Sequence, residues 1–129
     1  PYCRAHGIGV IVYSPMQAGL LTGTMTRERV AALAPDDWRR RSPDFREPRL
    51  TRSLALQDLL REIGARHGCS AAVIAVAWTL RRPEVTGAIV GARSAAQVDG
   101  FIGAMKLRLP PAAVEEIERF VAAASRKEG

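Results

Sequence analysis

Aromatic residues are scarce in this chain, at 5% of 129 residues, and lysine is nearly absent. Lys106 and Lys127 are the two lysines, and the remaining 17 of the 19 basic side chains are arginines. Single-strand nucleic-acid binders need aromatic platforms along a basic groove, and duplex binders concentrate their basic residues on one face. Here the arginines are dispersed from Arg4 to Arg126. The net charge of +6 therefore reads as that of an Arg-rich protein with no nucleic-acid partner, part of whose charge is available to an anionic cofactor. Cysteine is also sparse. Cys3 and Cys69 lie far apart, which excludes a disulfide framework and any Cys-based metal-ligand spacing, and suggests a reducing, cytoplasmic setting. No run of about 18 apolar residues is present, so no membrane association is expected. The first seven residues have neither an initiator Met nor the pattern of a signal peptide, so the sequence need not begin at a natural start.

What is present is a 47% hydrophobic content arranged as an α/β pattern. Pro1 to His6 reads as the tail of a helix stopped by Gly7. Ile8 to Tyr13 is a short β-branched run whose continuous hydrophobicity suits a strand covered on both faces. From Met16 to about Ser53 the pattern breaks into a long polar loop. Thr26 is placed to cap a short helix through Ala34, and Pro35, Pro43 and Pro48 punctuate the rest. Helical periodicity returns at Leu54, with Leu56, Leu59, Leu60 and Ile63 on one face and Gly68 closing the segment. Ser70 caps a second helix through Trp78 to Leu80, where Arg81 and Arg82 complement the negative end of its dipole. Thr86 to Val90 is a second strand. Ser94 opens a helix to about Met105, and Pro110-Pro111 starts a last one to about Ala124. A sheet of two strands is marginal in water and its faces need neighbours, so the pattern is that of a piece of a larger fold.

Two segments at strand C-terminal ends are candidates for ligand binding, since that is where α/β folds hold their ligands. The first runs from Tyr13 through Ser14, Pro15, Met16, Gly19 and Leu20 to Gly23. Its glycines allow close backbone approach to a ligand, and N–H groups there can meet phosphate oxygens. The second is Gly91-Ala92-Arg93-Ser94-Ala95-Ala96-Gln97. Arg93 and the N-terminus of the following helix suit a phosphate, while Ser94 and Gln97 have capping-box spacing, in which Gln97 serves the backbone. The two roles are compatible. Asp36, Asp37 and Asp44 fall in the polar loop with no His or Lys nearby and read as solvated, while His6 and His67 sit at helix ends.

The ordered set Tyr-Ser-Pro-x-x-x-Gly-Leu-Leu-Thr-Gly, then a Trp-containing helix, then Ile-Val-Gly-Ala-Arg-Ser-x-x-Gln, resembles the aldo-keto reductases. More closely, it is similar to the bacterial branch with a long loop after the seventh strand, from Pro1 to about Phe120. The resemblance implies the C-terminal part of a (β/α)8 TIM barrel, incomplete as a stand-alone barrel. Residues 1–53 would be strand seven and the cofactor and substrate loop, and residues 54–129 would be helices, strand eight and the C-terminal helices. It further implies NADP(H) as cofactor. Tyr13 would stack on the nicotinamide, and Ser14, Pro15, Met16, Gly19 and Leu20 would wrap the pyrophosphate. Arg40 would lie over the cofactor from within the run Arg39 to Arg41. Gly91, Arg93 and Ser94 would meet the adenosine phosphate, with Gln97 near the adenine. A Glu-Asn pair common near the adenine is replaced by Gly100 and Phe101.

The family's catalytic Asp, Tyr, Lys and His lie on earlier strands and map to no residue here. The resemblance thus implies half of a reductase of aldehydes or ketones, inactive alone, with a small carbonyl compound as the substrate of the whole. The alternative is a non-catalytic remnant of such a barrel that binds a nucleotide, or nothing, and self-associates through exposed barrel surfaces.

Overall fold

The computed structural model describes residues 1–125. Among the described residues, six α-helices and two strands follow the order α1 (Tyr2–Ala5), β1 (Val10–Tyr13), α2 (Arg27–Ala31), α3 (Arg49–Arg66), α4 (Ala71–Thr79), β2 (Val85–Ile89), α5 (Ala95–Ile102) and α6 (Pro111–Ser125). The strands pair in parallel, Val10 with Val85, then Ile11 with Gly87, Val12 with Ala88 and Tyr13 with Ile89, with an irregularity between Val10 and Ile11. Parallel pairing puts both strand C-terminal ends on the same side of the sheet, so the two candidate segments leave it together.

Helix α4 organises the core. Every residue from Ala71 to Ala77 is buried, as expected of a helix apolar on all sides. One side packs against Leu60 and Ile63 of α3, Leu21, and Ala113 and Ile117 of α6. Another meets Ala88 and Val90 of the β2 segment, with Ala104 closing that cluster. The caps fall where the sequence places them: Ser70 Oγ accepts from Val73 N at 3.2 Å and donates to the Gly100 carbonyl at 2.8 Å. Arg81 holds the Trp78 carbonyl at 3.0 Å, and its guanidinium lies 3.6 Å from the Trp78 ring centroid.

Three sequence expectations are corrected. The strands are covered on one face only. Ile11 is 67% exposed, Tyr13 81% and Ile89 62%, and the register sets them on a common face, opposite the one that Ala88 turns to α4. Second, the polar loop ends earlier than Ser53, because α3 already starts at Arg49. Leu50 and Ser53 are buried in register with Gln57, Leu60 and Ile63, so tertiary burial extends the helix beyond its visibly apolar part. Third, the helix capped by Thr26 stops at Ala31 and not Ala34. Its end tightens through a Leu33 N to Val30 O bond at 3.3 Å, two residues ahead of Pro35. The 3-10 turns Trp38–Arg41 and Pro43–Phe45 give the remaining loop local order.

Candidate cofactor site

The chain leaves β1 through a tightly wound turn. Ser14, Gln17 and Ala18 have φ of 53°, 46° and 53°, and Gly19 and Gly23 have 101° and 90°. Left-handed backbone at a non-glycine residue costs about 1–3 kcal/mol and persists only where its surroundings enforce it. The enforcing contacts are visible. Leu20 is fully buried among Met25, Phe45 and Leu50, Leu21 joins the main core, and Met16 packs against both the main core and the β2-side cluster. Met16 and Leu20 therefore anchor the turn with their side chains, and only their backbone is left to meet a ligand. Much of that backbone is already engaged: Gln17 N donates to Ser14 O, Gly19 N and Leu21 N to Met16 O, and Leu20 N to Gln17 O, at 3.0–3.2 Å. The turn is a cradle built by its own hydrogen bonds, with fewer N–H groups to offer than its glycines suggest.

The basic residue brought to this cradle is Arg39. A Cβ at Gly19 would lie 3.6 Å from Met25 Cε and 4.0 Å from Arg39 Nη1, at ordinary van der Waals distance, so the guanidinium stands beside the turn. Arg39 is held from behind: Nε and Nη2 donate to the Asp37 carboxylate at 3.0 and 2.6 Å, and its guanidinium lies 5.9 Å from the Phe45 ring centroid. Arg40, the residue chosen from the sequence, donates to the Leu33 carbonyl at 2.8 Å, and its own carbonyl receives Arg46 at 3.0 and 3.2 Å. It serves the loop's internal structure. Adjacent arginines are equivalent in the sequence, because which of them stands beside the cradle depends on how the 3-10 turn faces it.

Asp37 is likewise not the solvated carboxylate that its neighbours in sequence suggest. The Arg39 side-chain and backbone donors hold its pKa down to about 2, and Arg93 adds to the effect through its charge. The pair thus stays ionised throughout the neutral range. The pairing of Tyr13 with Ile89 brings the segment after β2 out of the sheet at the same end as the segment after β1. Asp44, by contrast, stays exposed and pairs with Arg49 at 3.3 Å.

The segment from Gly91 to Gln97 is exposed throughout. Ser94 Oγ accepts from Gln97 N at 3.4 Å, and Gln97 Oε1 accepts from Arg93 N at 2.7 Å. The local reading of Gln97 is therefore realised, shifted by one residue from the standard box. It fixes the backbone at Arg93 and leaves the guanidinium facing outward. Gly100 and Phe101 lie within α5.

Tyr13, Ser14, Pro15 and Gln17 also border a cleft of about 400 Å³, floored by Leu56, Trp78 and Phe120 among others and rimmed by Asp44, Arg49 and Arg52. None of the residues from Gly91 to Gln97 lines it. The indole Nε1 of Trp78 is buried and has no hydrogen-bond partner among the described residues. Cys69 is half-buried, and burial pushes its thiol pKa up, which keeps it protonated and unreactive.

Residues 1–122 match the Aldo/keto reductase family. The chain is 32% identical over 112 residues to the NADH-specific methylglyoxal reductase of Escherichia coli (strain K12), an alignment covering 87% of this chain and 33% of that protein. It is 34% identical over 102 residues to aldo-keto reductase YhdN of Bacillus subtilis (strain 168), covering 78% of this chain and 30% of that protein. A solved glycerol dehydrogenase from Gluconobacter oxydans superposes with a TM-score of 0.83 at 30% identity, over 95% of this chain and 37% of the other. The chain spans about a third of the length of the curated relatives it matches.

Proposed function

The chain belongs to the Aldo/keto reductase family, and from that premise we propose that it is the C-terminal, NADP(H)-holding portion of a barrel oxidoreductase that reduces aldehydes or ketones. The observation that carries this reading is the parallel pairing of Tyr13 with Ile89, which sends both strand-end segments out at one end of the sheet, with Arg39 beside Gly19 on the first and exposed Arg93 on the second. The residues fit an anionic dinucleotide. A guanidinium lies beside the wound backbone at Gly19, and Arg93 stands at an exposed strand end ahead of a helix N-terminus. Bound there, the cofactor would supply the hydride. This chain's own part is to hold it: Arg39 at the pyrophosphate, Arg93 at the adenosine phosphate, and Tyr13 as an exposed ring at the end of β1 against the nicotinamide. The proton donor and most of the substrate pocket belong to the remainder of the barrel.

The Escherichia coli relative is named for NADH, which makes the adenosine phosphate the point to test. Titrating the fluorescence of NADPH and of NADH with the chain and with Arg93→Ala measures it. The substitution is expected to weaken NADPH by about tenfold, as for one exposed charge-assisted contact, with little effect on NADH. Equal loss for both cofactors would show that Arg93 does not read the phosphate. Absence of any binding to either would remove the cofactor reading itself.

A second reading is favoured by one observation, the open sheet face of Ile11, Tyr13 and Ile89. A non-catalytic remnant would cover that face with another copy of itself. Concentration-dependent self-association in sedimentation velocity, unaccompanied by cofactor binding, is the result that would favour it.

A further inference from the structure

Gln57 is a glutamine on the buried side of α3, 2% exposed, and its hydrogen bonds all reach across to another segment. Its Oε1 accepts from Gly23 N at 3.0 Å and from Met25 N at 3.1 Å, and its Nε2 donates to Met25 O at 2.9 Å. One turn further along α3, Arg61 Nη2 donates to Gly23 O at 3.2 Å. Two side chains of one helix thus hold the backbone of Gly23 to Met25 by both its donors and its acceptors. Side-chain amides rarely go into a core unless their hydrogen bonds are met, and here both lone pairs of Oε1 are used on one short loop.

The place that is held explains why. Gly23 closes the wound turn that begins at Ser14, and Met25 packs with fully buried Leu20. Between them and β1 lie three non-glycine residues in left-handed backbone. Left to itself, such a turn would relax toward ordinary φ values, and the space beside Gly19 would change shape. Its entry is fixed by the strand and its exit by α3. Gly23 also has φ 90°, and a Cβ there would come 3.1 Å from the Ala71 Cβ, so the loop passes tight against α4 at the point that Gln57 grips.

We propose that Gln57 is a positioning residue for the cofactor cradle: by clamping Gly23 and Met25 it keeps the turn from Ser14 to Leu21 in the shape that faces Arg39. The link to the cofactor rests on the reading above; the clamp itself does not. Gln57 acts through the backbone and touches no cofactor.

The test uses the 129-residue chain with Gln57→Leu, which removes all three bonds, and Gln57→Glu, which keeps an acceptor for both N–H groups and loses only the donor to Met25. Ile117→Val, in the α6 side of the core, serves as a packing control. In Gln57→Leu, amide exchange at Gly23 and Met25 is expected to accelerate by about thirtyfold, and exchange at Gln17, Gly19, Leu20 and Leu21 to accelerate with it. Gln57→Glu is expected to show the same pattern at smaller amplitude, and it provides the result if Gln57→Leu does not fold. Ile117→Val is expected to leave the turn no more exposed than the rest of the molecule. NADPH affinity should fall about tenfold in Gln57→Leu and stay unchanged in the control.

Exchange in the turn rising no more in the Gln57 variants than in Ile117→Val overturns the clamp. A turn that loosens in a chain whose unsubstituted form never binds NADPH upholds the clamp and refutes the cofactor reading instead. A turn that loosens while NADPH affinity holds shows that the cofactor does not depend on the shape Gln57 enforces, and overturns the proposal.

Discussion

Mixed with NADPH and a small aldehyde, the 129-residue chain is expected to reduce no carbonyl above the rate in buffer. Hydride transfer to a carbonyl builds negative charge on oxygen, and a positioned general acid typically contributes 10²–10⁴-fold to such a step. Orientation of the two reactants contributes more still. The chain has two tyrosines. Tyr2 lies on α1 with its ring 4.3 Å from that of His6, away from the strand ends. Tyr13 is at a strand end but 81% exposed. Among the described residues no Lys, Asp or His hydrogen-bonds to either phenol. On the proposed reading the chain holds only half of the cofactor site, which would leave the nicotinamide unoriented toward any substrate. The assay is NADPH consumption followed by fluorescence, with the chain at increasing concentration. A rate that rises in proportion to the chain, and survives removal of trace contaminants, would refute the assignment of catalysis to residues outside it. Recovery of activity on mixing with the preceding two-thirds of a homologous barrel is the complementary outcome.

Replacing Gly64 by Ala is expected to be the most damaging single-methyl change in the molecule. A Cβ at that position would lie 2.5 Å from the Cys69 carbonyl oxygen and 3.2–3.3 Å from the carbonyl atoms of Ser70. These are backbone atoms and cannot swing aside. They belong to the tight connection in which Cys69 N and His67 N both return to the Gly64 carbonyl, at 2.9 and 3.0 Å. Relieving the overlap means prising α3 from the start of α4, where Ala71 and Ile74 are buried. Overpacking of this kind costs about 3 kcal/mol or more, a drop in Tm on the order of 10 °C for a chain of this size. Urea denaturation measures it. Gly100→Ala is the matched comparison: Gly100 lies within α5 and nothing approaches its missing Cβ within 4 Å. Alanine there is expected to stabilise by about 0.5–1 kcal/mol. A loss at Gly64 below about 1 kcal/mol would show that the α3–α4 junction yields easily.

The elements themselves were largely legible. Ser70, Ser94 and Thr26 each cap the helix they precede, because a short hydroxyl side chain ahead of a helical run meets a need of the backbone that does not depend on distant residues. Strand β1 falls within its β-branched run, trimmed by two residues, and β2 is shifted one residue toward the N-terminus of its expected span. Helix α3 was legible only in its apolar half. Gln57 and Ser53 are polar, and a polar residue announces burial only once its partners are known. The site divides in the same way. That Ser14 to Gly23 and Gly91 to Gln97 would leave the sheet on one side followed from two strands in parallel. That Arg39, and not Arg40, stands beside Gly19 did not follow, since consecutive arginines are equivalent until a 3-10 turn gives each a direction.

By itself, then, the sequence determined the periodic elements, their caps, the family and the two strand-end segments, because each depends on interactions local in the chain. Only the tertiary structure decided which side of the sheet stays open, which arginine faces the cradle, and that Gln57 grips the turn. Those depend on contacts between residues tens of positions apart, such as the 32 positions from Met25 to Gln57, and long-range pairing leaves no periodic trace in a single chain.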